Sequence, residues 1–248
     1  AGILPAPRAL HQEYGEGTLF QERHVKIGIL GSGMVGQNLG AVLALKGHDV
    51  VLGTRRPEAL DEERPRAGSL REWLERAGEE GRVGTFAEAA SHGEVVLNAT
   101  NGSAALDALR SAGAANLEGK ILLDISNPLD FSRGMPPTLF ICNDDSLGER
   151  IQAEFPATKV VKTLNTTNTY LMSDPGQLGG GDHTIFVSGN DADAKARVAA
   201  WLREWFGWMD IIDLGDITTA RGTEMLLPLW VRLMTALGTP EFNFKVVR

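Results

Sequence analysis

The chain of 248 residues predicts an α/β fold built on a doubly wound parallel sheet, as one large domain or two modest ones, and three observations carry the prediction of the sheet. A short β-rich run, Val25 to Leu30, breaks into three glycines at Gly31, Gly33 and Gly36. A helical stretch and a second apolar strand follow at once, completing a βαβ unit of about thirty residues. Further on, short β-rich runs alternate with helical periodicity as far as Asp213, the pattern of a parallel sheet flanked by helices.

Residues 1–24 carry mixed charge without periodicity and read as an N-terminal arm. Val25, Ile27, Ile29 and Leu30 then make a buried parallel strand. Met34, Val35, Leu39, Val42, Leu43 and Leu45 give the next helix its apolar side, and Lys46-Gly47 stops it with a cation and a glycine. Asp49 to Leu52 is the second strand. The glycines of such a unit have separate mechanical jobs. Gly31 permits the tight turn, Gly33 lets the backbone approach a pyrophosphate, and Gly36 lets helix and strand pack closely. N–H groups of Met34 and Val35 face the anion from the helix N-terminus. A glycine-rich turn without a ligand is the competing reading, and the strand–turn–helix context argues against it. The unit is therefore of Rossmann type and suited to a dinucleotide.

The end of the second strand selects which one. About twenty residues into the motif, an Asp or Glu would hold an NAD ribose 2′-hydroxyl. Here the sequence is Leu52-Gly-Thr-Arg-Arg-Pro57, with no carboxylate. Arg is planar, permanently charged and able to bind phosphate oxygens bidentately, so Arg55 and Arg56 read as a 2′-phosphate clamp assisted by Thr54. The cofactor read from them is NADP(H); the alternative is a pair of surface arginines in a loop before Pro57.

A charged loop, Glu58 to Arg66, leads to a helix that packs Leu70, Trp73 and Leu74 into the core. Arg82 to Thr85 is a short strand, and Thr85 caps a small helix through Ala90. The strand Glu94 to Asn98 is followed by a helix to about Ser111. Ligands of doubly wound sheets sit outside the carboxyl ends of the strands, which places Asn98 and Thr100 along the cofactor. Asn101 and Ser103 serve equally well as capping residues. Strand Lys120 to Ile125 ends in Ser126-Asn127-Pro128, where Pro128 restricts Asn127 to extended geometry and can aim its amide at the nicotinamide. Val160 to Leu164 delivers Asn165, Thr166, Thr167 and Asn168 to the same side, as site residues or as a polar turn.

Gly179 to Gly181 reads as a hinge, followed by the strand His183 to Val187. Asp191 to Phe206 is an amphipathic helix burying Val198, Trp201, Leu202 and Trp205, and Met209 to Asp213 is a strand. A final helix from about Asp216 contains Pro228, which should kink it. Its apolar side suggests a homodimer.

Composition narrows the function. With 43% hydrophobic residues a substantial core is available. No apolar run approaches the roughly 20 residues of a membrane helix, and no secretory signal is visible, so no membrane association and a cytoplasmic location are expected. Cys142 is the single cysteine, which excludes an intrachain disulfide and reads as a small core hydrophobe. A net charge of −8 argues against nucleic acid as a partner. The histidines show no metal-ligand spacing, so no metal is expected. Tyr14 and Tyr170 lack a lysine four residues on, which removes the Tyr-x-x-x-Lys proton donor, and Lys162 reads as a strand lysine with a solvated head. The catalytic residue is unknown at this level. Carbonyl reduction needs a positioned acid, whereas hydride exchange between two ring cofactors needs stacking, distance and exclusion of water. The missing acid leans toward the second.

Four segments, Gly28 to Gly36, Gly47 to Arg55, Asp124 to Pro128 and Val160 to Asn165, together with Leu226 to Trp230 and Phe242 to Val247, resemble the NADP oxidoreductase family typified by the NADP:coenzyme F420 oxidoreductases. The resemblance covers about 25–248, and the pattern is similar to that of the cytosolic domain of six-transmembrane metalloreductases. It implies, after the arm 1–24, an NADP-binding domain over 25–164 and a second, smaller C-terminal domain over 165–248 that closes over the acceptor site, with a deazaflavin, the small-molecule acceptor, held between them against the nicotinamide. By motif it assigns Ser32, Met34, Val35, Thr54, Arg55 and Arg56 to NADP, and Asn98, Thr100, Asn127 and Pro128 to its ribose and nicotinamide. The deazaflavin side falls loosely to Asn165, Thr166 and Thr167. The leader and the charged insert at 58–83 depart from the family pattern. The function implied is hydride transfer between NADP(H) and a 5-deazaflavin, coenzyme F420. Alternatives are an NADPH-dependent flavin or ferric reductase, a reductase of another small molecule, and a non-enzymatic NADP-binding redox sensor.

Overall fold

A computed structural model describes residues 24–248. The arm expected over 1–24 lies, except for His24, outside the described residues. The predicted βαβ unit is present as β1 (Lys26–Leu30), α1 (Met34–Leu45) and β2 (Asp49–Thr54). Next come α2 (Leu70–Ala77), β3 (Gly81–Thr85), α3 (Phe86–His92) and β4 (Val95–Asn98). Capping boxes start both helices, Ser69 with Glu72 for α2 and Thr85 with Glu88 for α3. Each satisfies otherwise orphaned N–H groups reciprocally. After β4 the chain forms α4 (Ala105–Ala112), α5 (Ala114–Leu117), β5 (Ile121–Asp124) and a small antiparallel hairpin of β6 (Leu129–Asp130) and β7 (Thr138–Leu139).

The remainder supplies α6 (Leu147–Glu154), β8 (Lys159–Thr163), α7 (Thr169–Ser173), β9 (Thr184–Ser188), α8 (Ala192–Trp201), β10 (Asp210–Asp213), α9 (Ala220–Met225) and α10 (Leu227–Leu237). One eight-stranded sheet runs in the order β3-β2-β1-β4-β5-β8-β9-β10. All neighbours are parallel except β8 and β9. The chain builds outward from β1 to β3, then returns to lay β4 on the other flank of β1, so the switch in strand order falls between β1 and β4. A core lies on each face: Ile27, Ile29, Leu39 and Trp73 belong to one, Leu30, Val96, Leu109 and Ile151 to the other. Beyond residue 165, β9 and β10 join the sheet through β8, so the boundary expected at 164/165 falls within a continuous sheet.

Several local expectations are corrected. Cys142 is exposed, because it lies in the loop between β7 and α6. α9 and α10 are joined by Leu226, itself in helical conformation (φ −70°, ψ −24°), so the final helix expected from about Asp216 is interrupted beside Pro228, which stands in the first turn of α10. The long helix expected from Asp191 is capped by that residue and passes after Trp201 into a π-helical turn, Leu202–Phe206. Trp201 is only partly buried and stacks on Trp205 with ring centroids 4.8 Å apart. Exposed Leu229 and Leu237 are on α10, the helix read as a homodimer face. Among the described residues, no helix is long and apolar enough to cross a membrane.

The main correction is Lys162. Its head is not solvated: the residue is 1% exposed, and Nζ lies 2.7 Å from Asp124 Oδ2 and 2.7 Å from Glu224 Oε1. Burial works to lower its pKa, and the two carboxylates outweigh that and hold it above the ordinary lysine value. Removing one member of such a group leaves uncompensated buried charge, which costs about 3–5 kcal/mol. Lys162→Met should therefore lower the melting temperature by roughly 6–20 °C, at about 2–4 °C per kcal/mol for a domain of this size. A raised pKa adds stability that is complete below the ordinary value of 10.5 and is lost as pH climbs through the raised one. The deficit should thus be constant across neutral pH. Denaturant titration at several pH values measures it, and a deficit under about 1 kcal/mol would mean that Lys162 reaches water.

Candidate nucleotide-binding site

A cleft of about 730 Å³ opens at the carboxyl ends of β1, β2 and β4, lined among others by Gly31, Ser32, Gly33, Thr54, Arg55, Arg56, Arg64 and Thr100. The three motif glycines are distinguished by what a Cβ would meet. At Gly31, where φ is +115°, it would stand 2.6 Å from Ala99 O, and at Gly36 it would stand 1.9 Å from Gly31 O. Both are required by the fold. At Gly33 it would meet nothing of the described residues within 4 Å, and φ is −83° with extended ψ. The folded chain itself does not demand glycine there; close approach of a ligand to the backbone does. Gly33 is also the N-cap of α1, so the first-turn N–H groups, from Met34 on, have no acceptor inside the helix. No acidic residue stands in that turn to compete for an anion. Met34 and Val35 are half-buried.

Beside this cradle lies a cluster of cations. Thr54, 7% exposed, accepts a hydrogen bond from Ser32 Oγ at 3.1 Å. Arg55 is exposed and, among the described residues, has no hydrogen-bond or ion-pair partner. Arg56 is paired with Glu62. Arg64, overlooked in the sequence, completes the group. Its Nε donates to Ser32 Oγ at 3.3 Å, while Nη1 and Nη2 donate to the carbonyls of Glu62 and Ala59 at 2.7 and 3.3 Å. These bonds fold the charged insert back toward the glycine loop. A donor set of guanidinium groups and hydroxyls suits a phosphate monoester.

The other expected residues divide. Thr100 lines the cleft. Asn98 is wholly buried beneath it and bonds to Thr100 and Asp124. Asn127 and Asn165 are brought together with each other: Asn127 Nδ2 donates to Asn165 O, and Asn165 Nδ2 donates to Asn127 Oδ1, both at 2.9 Å. Leu164 supports this turn in a left-handed conformation, φ +60°, unusual for a residue with a side chain. Pro128, Asn165, Thr166 and Thr167 are buried, and among the described residues Thr167 Oγ1 has no hydrogen-bond partner. None of these five lines the cleft.

A glycine cradle at the strand-order switch and arginines in place of the usual carboxylate define a Rossmann oxidoreductase of the NADP-dependent class. Residues 26–128 match the family model described as NADP oxidoreductase, coenzyme F420-dependent. The F420-dependent NADP reductase of Methanothermobacter marburgensis is 30% identical over 213 residues, 84% of this chain and 92% of that protein. A crystal structure from Arthrobacter sp. FB24, given the provisional name F420 dependent NADP-reductase, is 55% identical with a TM-score of 0.85, covering 90% of this chain and all of that one. Metalloreductase STEAP3 of Rattus norvegicus is 31% identical over 221 residues, 86% of this chain, and the chain spans 39% of its length. The chain belongs to the coenzyme F420-dependent NADP oxidoreductase family.

Proposed function

We propose that the protein transfers hydride between NADP(H) and a 5-deazaflavin, coenzyme F420. The observation that carries this reading is the cleft at the strand-order switch, where the Gly33 cradle lies beside the guanidinium groups and hydroxyls of Arg55, Arg56, Arg64, Ser32 and Thr54, in a chain of the coenzyme F420-dependent family. When bound, NADP(H) supplies the hydride chemistry. The chain binds and orients. The Gly33 loop and the start of α1 take the pyrophosphate, while Thr54, Arg55, Arg56 and Arg64 take the 2′-phosphate. Thr100, Asn127 and Pro128 belong to the nicotinamide side, and Asn165, Thr166 and Thr167 to the acceptor side.

A deazaflavin carries carbon where a flavin has its central nitrogen, so it exchanges hydride and needs stacking at near-attack distance, about 3–3.5 Å. No protein acid is required for that exchange. Similarity to a metalloreductase supports a second reading, an NADPH-dependent flavin or ferric reductase. The two separate in one assay. Oxidation of NADPH, followed at its near-ultraviolet band, should be fast with coenzyme F420 and slow with FMN, FAD or ferric chelates. Faster turnover with FMN or FAD would put the second reading in place of the first.

A further inference from the structure

Beneath the cleft, buried polar groups from five elements are joined in one line. Glu224 on α9 accepts the N–H groups of Leu147 and Gly148, at the start of α6, at 2.8 and 3.0 Å, and pairs with Lys162 on β8. Lys162 donates to Ser126 O at 2.5 Å and to Asp124 Oδ2 at 2.7 Å. The other oxygen of Asp124 accepts from Ser126 N at 3.2 Å, Ser126 Oγ at 2.7 Å and Asn98 Nδ2 at 2.8 Å. Asn98 Oδ1 then accepts from Thr100 N at 3.3 Å and from Thr100 Oγ1 at 2.7 Å. Asp124 and Asn98 are both 0% exposed, so no water competes for these bonds.

The line has a direction. The two ends of an asparagine amide are told apart by their neighbours. Every partner of Asp124 is a donor, anchored by the Lys162 ammonium, so Asn98 must turn its NH₂ toward Asp124. Its carbonyl therefore faces Thr100. A threonine hydroxyl has one hydrogen, and here that hydrogen goes to Asn98. Lone pairs alone are left for the cleft.

The arginine cluster ends β2, the phosphate cradle follows β1, and Thr100 follows β4 on the opposite flank of β1. Resting on the reading of this cleft as the NADP(H) site, we infer that Thr100 is an acceptor-only binding residue that selects a hydrogen-bond donor on the nicotinamide half of the nucleotide. Asn98 and Asp124 are the positioning residues that set its polarity. The donor is a ribose hydroxyl or the carboxamide NH₂; a phosphate oxygen or a ring carbonyl at that point would meet lone pairs.

Calorimetric titration of NADP⁺ and of 2′,5′-ADP, which lacks the nicotinamide half, tests this on intact protein whose fold is checked by thermal melting. Thr100→Val keeps the shape and removes the acceptor. It should weaken NADP⁺ about fivefold to tenfold, the scale of one net hydrogen bond, and leave 2′,5′-ADP unchanged; Thr100→Ser should bind as wild type. Asp124→Asn should turn the Asn98 amide and weaken NADP⁺ alone. Combined with Thr100→Val it should add nothing further, since both act through one hydroxyl. If Asp124→Asn does not fold, Asn98→Ala takes its place in the same cycle. The inference is overturned if Thr100→Val binds NADP⁺ as wild type does, if it loses both ligands equally, or if the paired substitutions add. Wild-type protein that binds neither ligand would instead remove the NADP(H) reading itself.

Discussion

Arg55→Ala/Arg56→Ala should bind NADPH about 10²–10⁴-fold more weakly than wild type and bind NADH almost unchanged. Each charge-assisted bond contributes about 1.5–3 kcal/mol, and NADH offers no 2′-phosphate to receive either. The arginines are not equivalent. Arg55 has no partner among the described residues, whereas Arg56 must leave Glu62 before it meets a phosphate. Exposed pairs of this kind are weak, on the order of 0–1 kcal/mol, so the exchange is feasible but subtracts from the gain. Arg55→Ala alone should accordingly cost more than Arg56→Ala alone. Arg64 stays in place through Ser32 and two carbonyls, which should leave the double variant a residual preference for NADPH. Parallel fluorescence titrations with both nucleotides decide the matter: equal loss for the two would mean that the arginines support the loop and do not select the cofactor.

What the sequence made legible was whatever local spacing encodes. The glycine triplet, the β1 and β2 runs and the Thr85 cap are written in adjacent residues, and so is the absence of a carboxylate at Thr54-Arg-Arg56. Arg64 was not legible, because its place depends on the insert folding back onto Ser32, residues 32 positions apart. Lys162 was hidden for a related reason. Read alone, a lysine in a strand suggests a head in water, yet β8 is central to the sheet and its residues from Val160 to Thr163 are buried. One signal was available. Lys162 sits opposite Asp124 in the register of the parallel pair β5 and β8, so a cation and a carboxylate, each directly following two apolar residues in its strand, pair once those strands are neighbours. Glu224, 62 positions further on, could come only from the tertiary fold. The Asn127–Asn165 pair was legible as two polar strand ends, and its mutual bonding was not.

Gly33→Val should fold and fail to bind the nucleotide, the largest change expected from a single substitution at this site. The folded chain tolerates it: a Cβ at residue 33 meets nothing of the described residues within 4 Å, and φ of −83° is open to valine. The cost to stability is that of a poorer N-cap, about 1 kcal/mol or less, which should leave the circular dichroism spectrum close to native and the melting temperature within a few degrees. Binding is another matter, because the branched side chain would stand over the N–H groups of Met34 and Val35, where the pyrophosphate must approach. Gly36→Ala reverses the pattern. Its Cβ would lie 1.9 Å from Gly31 O, so the smaller substitution should destabilise the fold by moving the turn off α1. The pair thus separates a glycine kept for a ligand from one kept for packing. NADPH titration together with thermal melting of both variants measures it, and micromolar NADPH affinity retained by Gly33→Val would show that this loop does not hold the phosphates.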